Sequence, residues 1–483
     1  MTFDPFASAT KLLRQLKNKT LSAQELMDAT IARIESIDKN INAVVVRDFE
    51  RARDAAKKAD KRIQRGESAP LLGLPMTVKE SFNVSGLSTT WGESHYKSFK
   101  PEEDALTVQR LKAAGAIIIG KTNVPPMLKD WQTYNDLYGT TNNPWDLTRT
   151  PGGSSGGAAA ALASGMVPLE IGSDLAGSLR TPAHFCGVCA HKPTQDLIPV
   201  RGASPPRTTP IPTGADLATV GPMARTVQDL MLAFKQLAGP DEMLTGKGYS
   251  MKLPKARHQK LKDFRVLVLD KHPLYPTCHE IQAKLDGLSQ HLSKLGVKLD
   301  KDTKKAPKLA ELTRAYTHLM SAFVGVNLPP SVYDHLKSMA QDIKPDDISL
   351  NAMRMRGFSS NYRDYFLQTR VREHIRLAWL TLFDSYDVIL CPVMPTVAYK
   401  HDHREFEHRS LEVNGKEESY LDQFVWCSMA TALGFPATVL PIGLSKANLP
   451  IGVQVIGSYM EDNTSLAFAR HIEKAFGGFL IQN

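Results

Sequence analysis

Two glycine- and serine-bearing turns constrain this chain most. They are Thr150 to Gly157 and Ser173 to Pro182, separated by an alanine-rich run to Ser164 and the apolar segment Met166 to Gly172. The pattern reads turn, short helix, short strand, turn. Glycines at such turns let the backbone approach another group closely, and hydroxyls beside them are presented as nucleophiles or proton relays. A flexible linker does not run straight into a helix and a strand. A phosphate-binding loop needs Lys followed by Ser or Thr after its last glycine, where this chain has Ala158. Gly152 to Gly156 matches Gly-x-Ser-x-Gly formally, but that elbow needs a strand entering it, and Asn143 to Pro151 is turn-like and proline-broken. A Ser-His-Asp site also needs one later histidine singled out, and the fourteen histidines favour none. A fourth reading is a serine hydrolase without histidine, in which a neutral lysine is the base.

The rest of the chain alternates helical and strand-like segments, as an α/β sheet requires. Ser22-Ala-Gln-Glu25 is a capping box opening a helix of about four turns. Ala43 to Val46, Met76 to Val78, Ala116 to Ile119, Phe264 to Leu269, Val297 to Leu299, Asp387 to Pro392, Pro436 to Ile442 and Gly452 to Ile456 read as strands. Thr226 to Leu237, Thr277 to Leu295 and about Tyr362 to Phe383 read as helices, and Leu197 to Val220 as loop. The buried strand Met76 to Val78 places Lys79 at its end. Residues 1–483 are expected to form one domain, with a catalytic core at about 70–240 and 385–483. The section 261–361 holds no catalytic constellation and is expected to be a lobe shaping the substrate pocket, together with the segment Lys129 to Tyr134.

Composition narrows the setting. With 42% hydrophobic and 23% charged residues, the chain resembles an ordinary soluble globular protein. The formal charge of +9 is spread over helical faces such as Arg51 to Arg65, so no nucleic-acid partner is expected. No signal peptide is evident and no apolar run is long enough to span a bilayer, so no membrane partner is expected either. Five irregularly spaced cysteines argue against a disulfide framework and for a reducing cytoplasm. His184, Cys186, Cys189 and His191 offer zinc-type ligands but crowd one short segment. His401-Asp-His403 with Glu407-His408 is a second metal candidate, in a charged loop expected to be exposed. No metal or cofactor is expected.

Four segments carry a resemblance across most of the chain: Gly73-Leu-Pro-Met-Thr-Val-Lys79-Glu80, Pro151-Gly-Gly-Ser-Ser-Gly-Gly157, Gly172-Ser-Asp-Leu-Ala-Gly-Ser-Leu-Arg180 and Phe185-Cys-Gly-Val-Cys-Ala-His-Lys-Pro193. Gly221-Pro-Met-Ala-Arg225, Gly434-Phe-Pro-Ala437 and Pro450 to Gly457 support them. Together they resemble the amidase signature family. The resemblance implies one large α/β domain, with a mixed central sheet covered by helices on both faces and with Lys79, Ser154 and Ser178 converging at one edge of that sheet. It also implies a Ser-Ser-Lys triad, with the first serine of the Gly-Gly-Ser-Ser pair held by a cis peptide. Carried over, the nucleophile is Ser178, the relay Ser154 and the base Lys79. The backbone amides of Leu175, Ala176, Gly177 and Ser178 would form the oxyanion hole. Ser155, Asp174 and Arg180 would support these turns.

Chemistry agrees with that assignment. A lysine takes a serine proton only when its amine is neutral, and burial favours the neutral form. Glu80 would oppose this, but neighbours on a strand point to opposite faces. The implied reaction is hydrolysis of a small-molecule amide, with pairing of two copies left as an expectation. A second reading is the glutamine-hydrolysing subunit of a tRNA-dependent amidotransferase. That subunit typically has Asp-Thr-Gly-Gly-Ser where this chain has Asp174-Leu-Ala-Gly-Ser178, which favours a stand-alone enzyme. A third reading is a non-catalytic protein on the same fold.

Overall fold

The strands are short, and most are buried on both faces, so they read as apolar runs; they pair into two larger sheets, and two further two-stranded ribbons stand apart from these. The computed structural model describes residues 4–212, 214–326 and 328–482. A three-stranded sheet contains β1 (Val44–Arg47), β2 (Pro75–Lys79) and β3 (Ile117–Thr122), in the order β1-β3-β2. The central sheet has eight strands: β4 (Leu169–Asp174), β5 (Cys189–Lys192), β6 (Thr219–Ala224), β7 (Arg265–Val268), β8 (Lys298–Asp300), β9 (Val388–Pro392), β10 (Ala437–Leu444) and β11 (Pro450–Ile456). Their order is β8-β7-β9-β11-β10-β5-β6-β4. The first three run parallel and the remaining pairings are antiparallel, so the sheet is mixed. Helices flank it, among them Arg180–Cys186 and Asp462–Phe476.

Local rules account for many boundaries. Ser22 Oγ accepts from the Glu25 amide at 3.1 Å while the Ser22 amide donates to Glu25 Oε2 at 2.8 Å, and the helix Ala23–Ile41 follows. The strand β6 overlaps the segment that reads as loop at Thr219 and Val220, and the sequence assigns no element to its remaining residues, which include Gly221 and Pro222. Its ladder with β5 covers only Met223 and Ala224 and stops at Pro222, which has no amide to donate.

Two sequence-based expectations change. Lys79 does not reach the site on the central sheet. It ends β2 of the smaller sheet, which lies alongside β4, the outermost strand of the central one. The section 261–361 is not wholly a separate lobe, because β7 and β8 complete the far side of the central sheet. The helix His279–Lys294 packs on that sheet, whereas the helices Leu309–Gly325, Pro330–Gln341 and Leu350–Phe358 pack on one another.

Arg225, at the end of the Gly221 motif, ties the N-terminal segment to the core. Its buried guanidinium donates to the carbonyls of Ala7 (2.7 Å), Leu162 (3.0 Å) and Val167 (2.7 Å). Arg225→Ala should therefore lower stability by about 3 kcal/mol, since buried carbonyls would lose their donors. An unchanged urea midpoint would show that water replaces those bonds.

Candidate active site

The alanine-rich helix Gly156–Ala163 and strand β4 bring the two turns together. Ser155, on the first turn, donates its amide to the Ser178 carbonyl at 3.2 Å, and its hydroxyl to the Ser173 carbonyl at 3.3 Å. The first turn requires glycine for a steric reason. A Cβ on Gly153 would lie 2.4 Å from the Gln132 carbonyl oxygen and 2.5 Å from that of Asp130. The peptide between Gly153 and Ser154 is cis.

Lys79 is fully buried, with Nζ 2.6 Å from Ser154 Oγ and 2.9 Å from Ser173 Oγ. Desolvation lowers its pKa to about 7, against the opposing pull of Asp174 and Glu170. Glu170, buried on β4, is itself raised to about 8, chiefly by burial. Glu80 is turned to a different task, accepting from the amides of Thr90 (2.6 Å) and Trp91 (2.9 Å). Ser173, which sequence reasoning missed, stands inside the quoted motif five residues before Ser178. It faces Lys79 because β4 runs beside β2.

Asp174 and Arg180 hold the second turn. Their ion pair is fully buried, with Arg180 Nη2 2.8 Å from Asp174 Oδ1 and Nε 2.9 Å from Oδ2. Arg180 also donates to the Cys427 carbonyl at 2.8 Å and to Thr431 Oγ1 at 2.7 Å. Burial would raise the Asp174 carboxyl, but the adjacent guanidinium and its hydrogen bonds outweigh that and bring the pKa to about 2. Asp174 accepts the amides of Gly177 (2.9 Å) and Leu179 (3.1 Å). This corrects the expected oxyanion set, because the Gly177 amide is already engaged. Gly177 has φ +98°, and a Cβ there would lie 2.7 Å from Cys427 Sγ.

The carbonyls of this turn are held one by one. Thr219 Oγ1 donates to that of Asp174 (3.3 Å), Tyr316 Oη to that of Leu175 (2.8 Å) and Trp131 Nε1 to that of Ala176 (2.9 Å). The Thr181 amide donates to that of Gly177 at 2.7 Å. The amides of Leu175, Ala176 and Ser178 have no acceptor among the described residues. Such an array of fixed, unpaired donors is suited to a developing negative charge. Trp131 comes from the segment noted for pocket shaping, whereas nothing in the sequence signals Tyr316.

The other clusters are dispersed. His184 contacts the Thr396 carbonyl and accepts from the Gly452 amide, Cys186 donates to Pro151 and Cys189 to Arg225. His191 bridges Thr438 and Asp462. Among the described residues, no group of three or more His, Cys, Asp or Glu side chains is placed to hold a metal, His401 and His403 included. Among them too, no helix is long and apolar enough to cross a membrane.

Residues 25–466 match the amidase family. The chain belongs to the amidase signature family. It is 30% identical to the A subunit of glutamyl-tRNA(Gln) amidotransferase from Desulfatibacillum aliphaticivorans, over 95% of each chain. It shares 28% identity and a TM-score of 0.83 with an inhibitor-bound structure from a vestigial complex related to the origins of an s-triazine catabolic enzyme. That match covers 99% of this chain and 100% of the other. The 6-aminohexanoate cyclic dimer hydrolase in complex with its substrate is 25% identical, with a TM-score of 0.77 and 98% of both chains covered. The chain is accordingly an amidase-family hydrolase acting on carbon-nitrogen amide bonds.

Replacing Asp174 with Ala would strand Arg180 as a buried charge and free two buried amides. A loss of about 3 to 5 kcal/mol is expected, read as a lower denaturant midpoint. A loss below about 1 kcal/mol would mean that the ion pair does not hold the turn.

Proposed function

We propose that this chain cleaves its amide through an acyl-enzyme on Ser178, with Ser154 as proton relay and Lys79 as base. The contact of 2.6 Å between Lys79 and Ser154 in a buried site carries this reading. With its amine neutral, Lys79 accepts the Ser154 proton while Ser154 accepts that of Ser178. Ser178 Oγ adds to the amide carbon, and the amides of Leu175, Ala176 and Ser178 hold the resulting oxyanion. Collapse breaks the carbon-nitrogen bond, and the departing amine takes its proton back through Ser154. Water then adds to the acyl ester by the same relay, releasing the acid and restoring Ser178. Ser173 holds the Lys79 amine in line, and Ser155, Asp174 and Arg180 keep the two turns in register.

A base works in its unprotonated form, so the rate should rise with pH and level off above the Lys79 value of about 7. Fluorophosphonate labelling of Ser178 should be about tenfold slower at pH 6 than on the plateau. Lys79→Ala and Ser154→Ala should each slow it by about two orders of magnitude or more with the fold intact. Near-normal labelling in either variant, or an adduct that survives Ser178→Ala, would overturn the triad and restore the non-catalytic reading.

Two substrate readings are separable. The amidotransferase relative supports a glutamine-hydrolysing subunit better than the stand-alone enzyme favoured by the turn alone, and the expected exclusion of nucleic acid loses its support. The side chains Leu175 and Ala176 remain the one feature that favours the stand-alone reading. Partner subunits that co-purify and confer glutamine-dependent amidation of charged tRNA would establish the first. Turnover of small amides by the isolated chain, with no gain from such partners, would establish the second.

A further inference from the structure

We infer that Tyr316 is a positioning residue for the oxyanion site, aiming and polarising the Ala176 amide through its bond to the Leu175 carbonyl. The inference rests on the acyl-enzyme reading. The carbonyl of one residue and the amide of the next share one rigid plane and point in opposite directions in a trans peptide. A donor fixed on the Leu175 carbonyl therefore sets where the Ala176 amide points. It also draws electron density toward the oxygen, which makes that amide a stronger donor.

The two aromatic donors are not equivalent. Trp131 Nε1 holds the Ala176 carbonyl at 2.9 Å, and the amide of that same peptide, Gly177, already donates to Asp174 at 2.9 Å. Tyr316 Oη holds the Leu175 carbonyl at 2.8 Å, and the amide at the far end, Ala176, has no acceptor among the described residues. Trp131 thus braces a peptide whose other end is occupied, whereas Tyr316 acts on one whose other end is free. Tyr316 is fully buried on the helix Leu309–Gly325, with its ring 5.4 Å from that of Phe424. Burial pushes its phenol well above the ordinary value, so it remains a donor throughout the working pH range. This helix comes from the section of the chain that carries no part of the triad.

The test compares the wild type, Tyr316→Phe and Trp131→Phe by their rates of fluorophosphonate labelling at Ser178 across pH. Tyr316→Phe should lower the plateau rate about ten- to a hundredfold, less than outright loss of an oxyanion donor. The pH midpoint should stay at the wild-type value, because Lys79 is untouched; a general loosening of the site would shift it. Trp131→Phe, with a melting temperature matched to Tyr316→Phe, should lose less than threefold. A variant carrying 3-fluorotyrosine at 316, whose more acidic hydroxyl donates more strongly, should label at least as fast as the wild type. That variant also decides the matter if Tyr316→Phe fails to fold, since a markedly slower rate in it would overturn the inference. A Tyr316→Phe rate within twofold of the wild type, or a shifted midpoint, would overturn it as well. If the wild type itself gives no adduct on Ser178, the acyl-enzyme reading fails instead.

Discussion

The site depends on the buried ion pair between Asp174 and Arg180. A carboxylate and a guanidinium without solvent are tolerable only when nearly every lone pair and proton is matched. Here the carboxylate also takes two amides of the turn, while the guanidinium reaches a carbonyl and a hydroxyl on the helix Val425–Ala432. The charge pair therefore forces the backbone between its two members into one shape. That shape directs the carbonyls outward to donors on three other segments and leaves three amides without partners among the described residues.

The second constraint is the seam between the two sheets. The small sheet could have been a peripheral addition, but β2 lies against the outermost strand of the central sheet, and Lys79 ends it there. No water reaches the amine, so desolvation outweighs the pull of two carboxylates and the pKa falls to about 7. A lysine at the end of an exposed strand would keep its ordinary pKa and be fully charged at neutral pH, unable to take a proton. The lowered pKa of Lys79 is thus a product of packing between sheets, and it follows from where the seam lies.

Much of the fold was legible because the strands are short apolar runs between turn residues, and the helices begin at identifiable caps such as Ser22. The strand β6 was not, because Gly221 and Pro222 argue locally against it and only its neighbours on either side hold it in the sheet. The assignment of Lys79 to the site was legible from its motif, but its route was misplaced, since strand pairing partners are not encoded within the strand. Ser173 lay in plain view within a motif, yet its part depends on facing β2. Trp131 lay in a segment expected to shape the pocket, but its bond to the Ala176 carbonyl carries no local sign, and Tyr316 carries none at all.

The sequence by itself determined the small-residue turns, the hydroxyls they carry, the alternation of helices and strands, and the family to which the chain belongs. These follow from local conformational preferences and from residue spacing. Tertiary structure alone decided which amides of the second turn find no acceptor among the described residues, what holds each carbonyl, and how deeply the amine of Lys79 is buried. Those properties arise from contacts between segments well separated in the chain, from 45 residues for Trp131 and Ala176 to 141 for Tyr316 and Leu175, where direction and desolvation, rather than residue type, determine what a group can do.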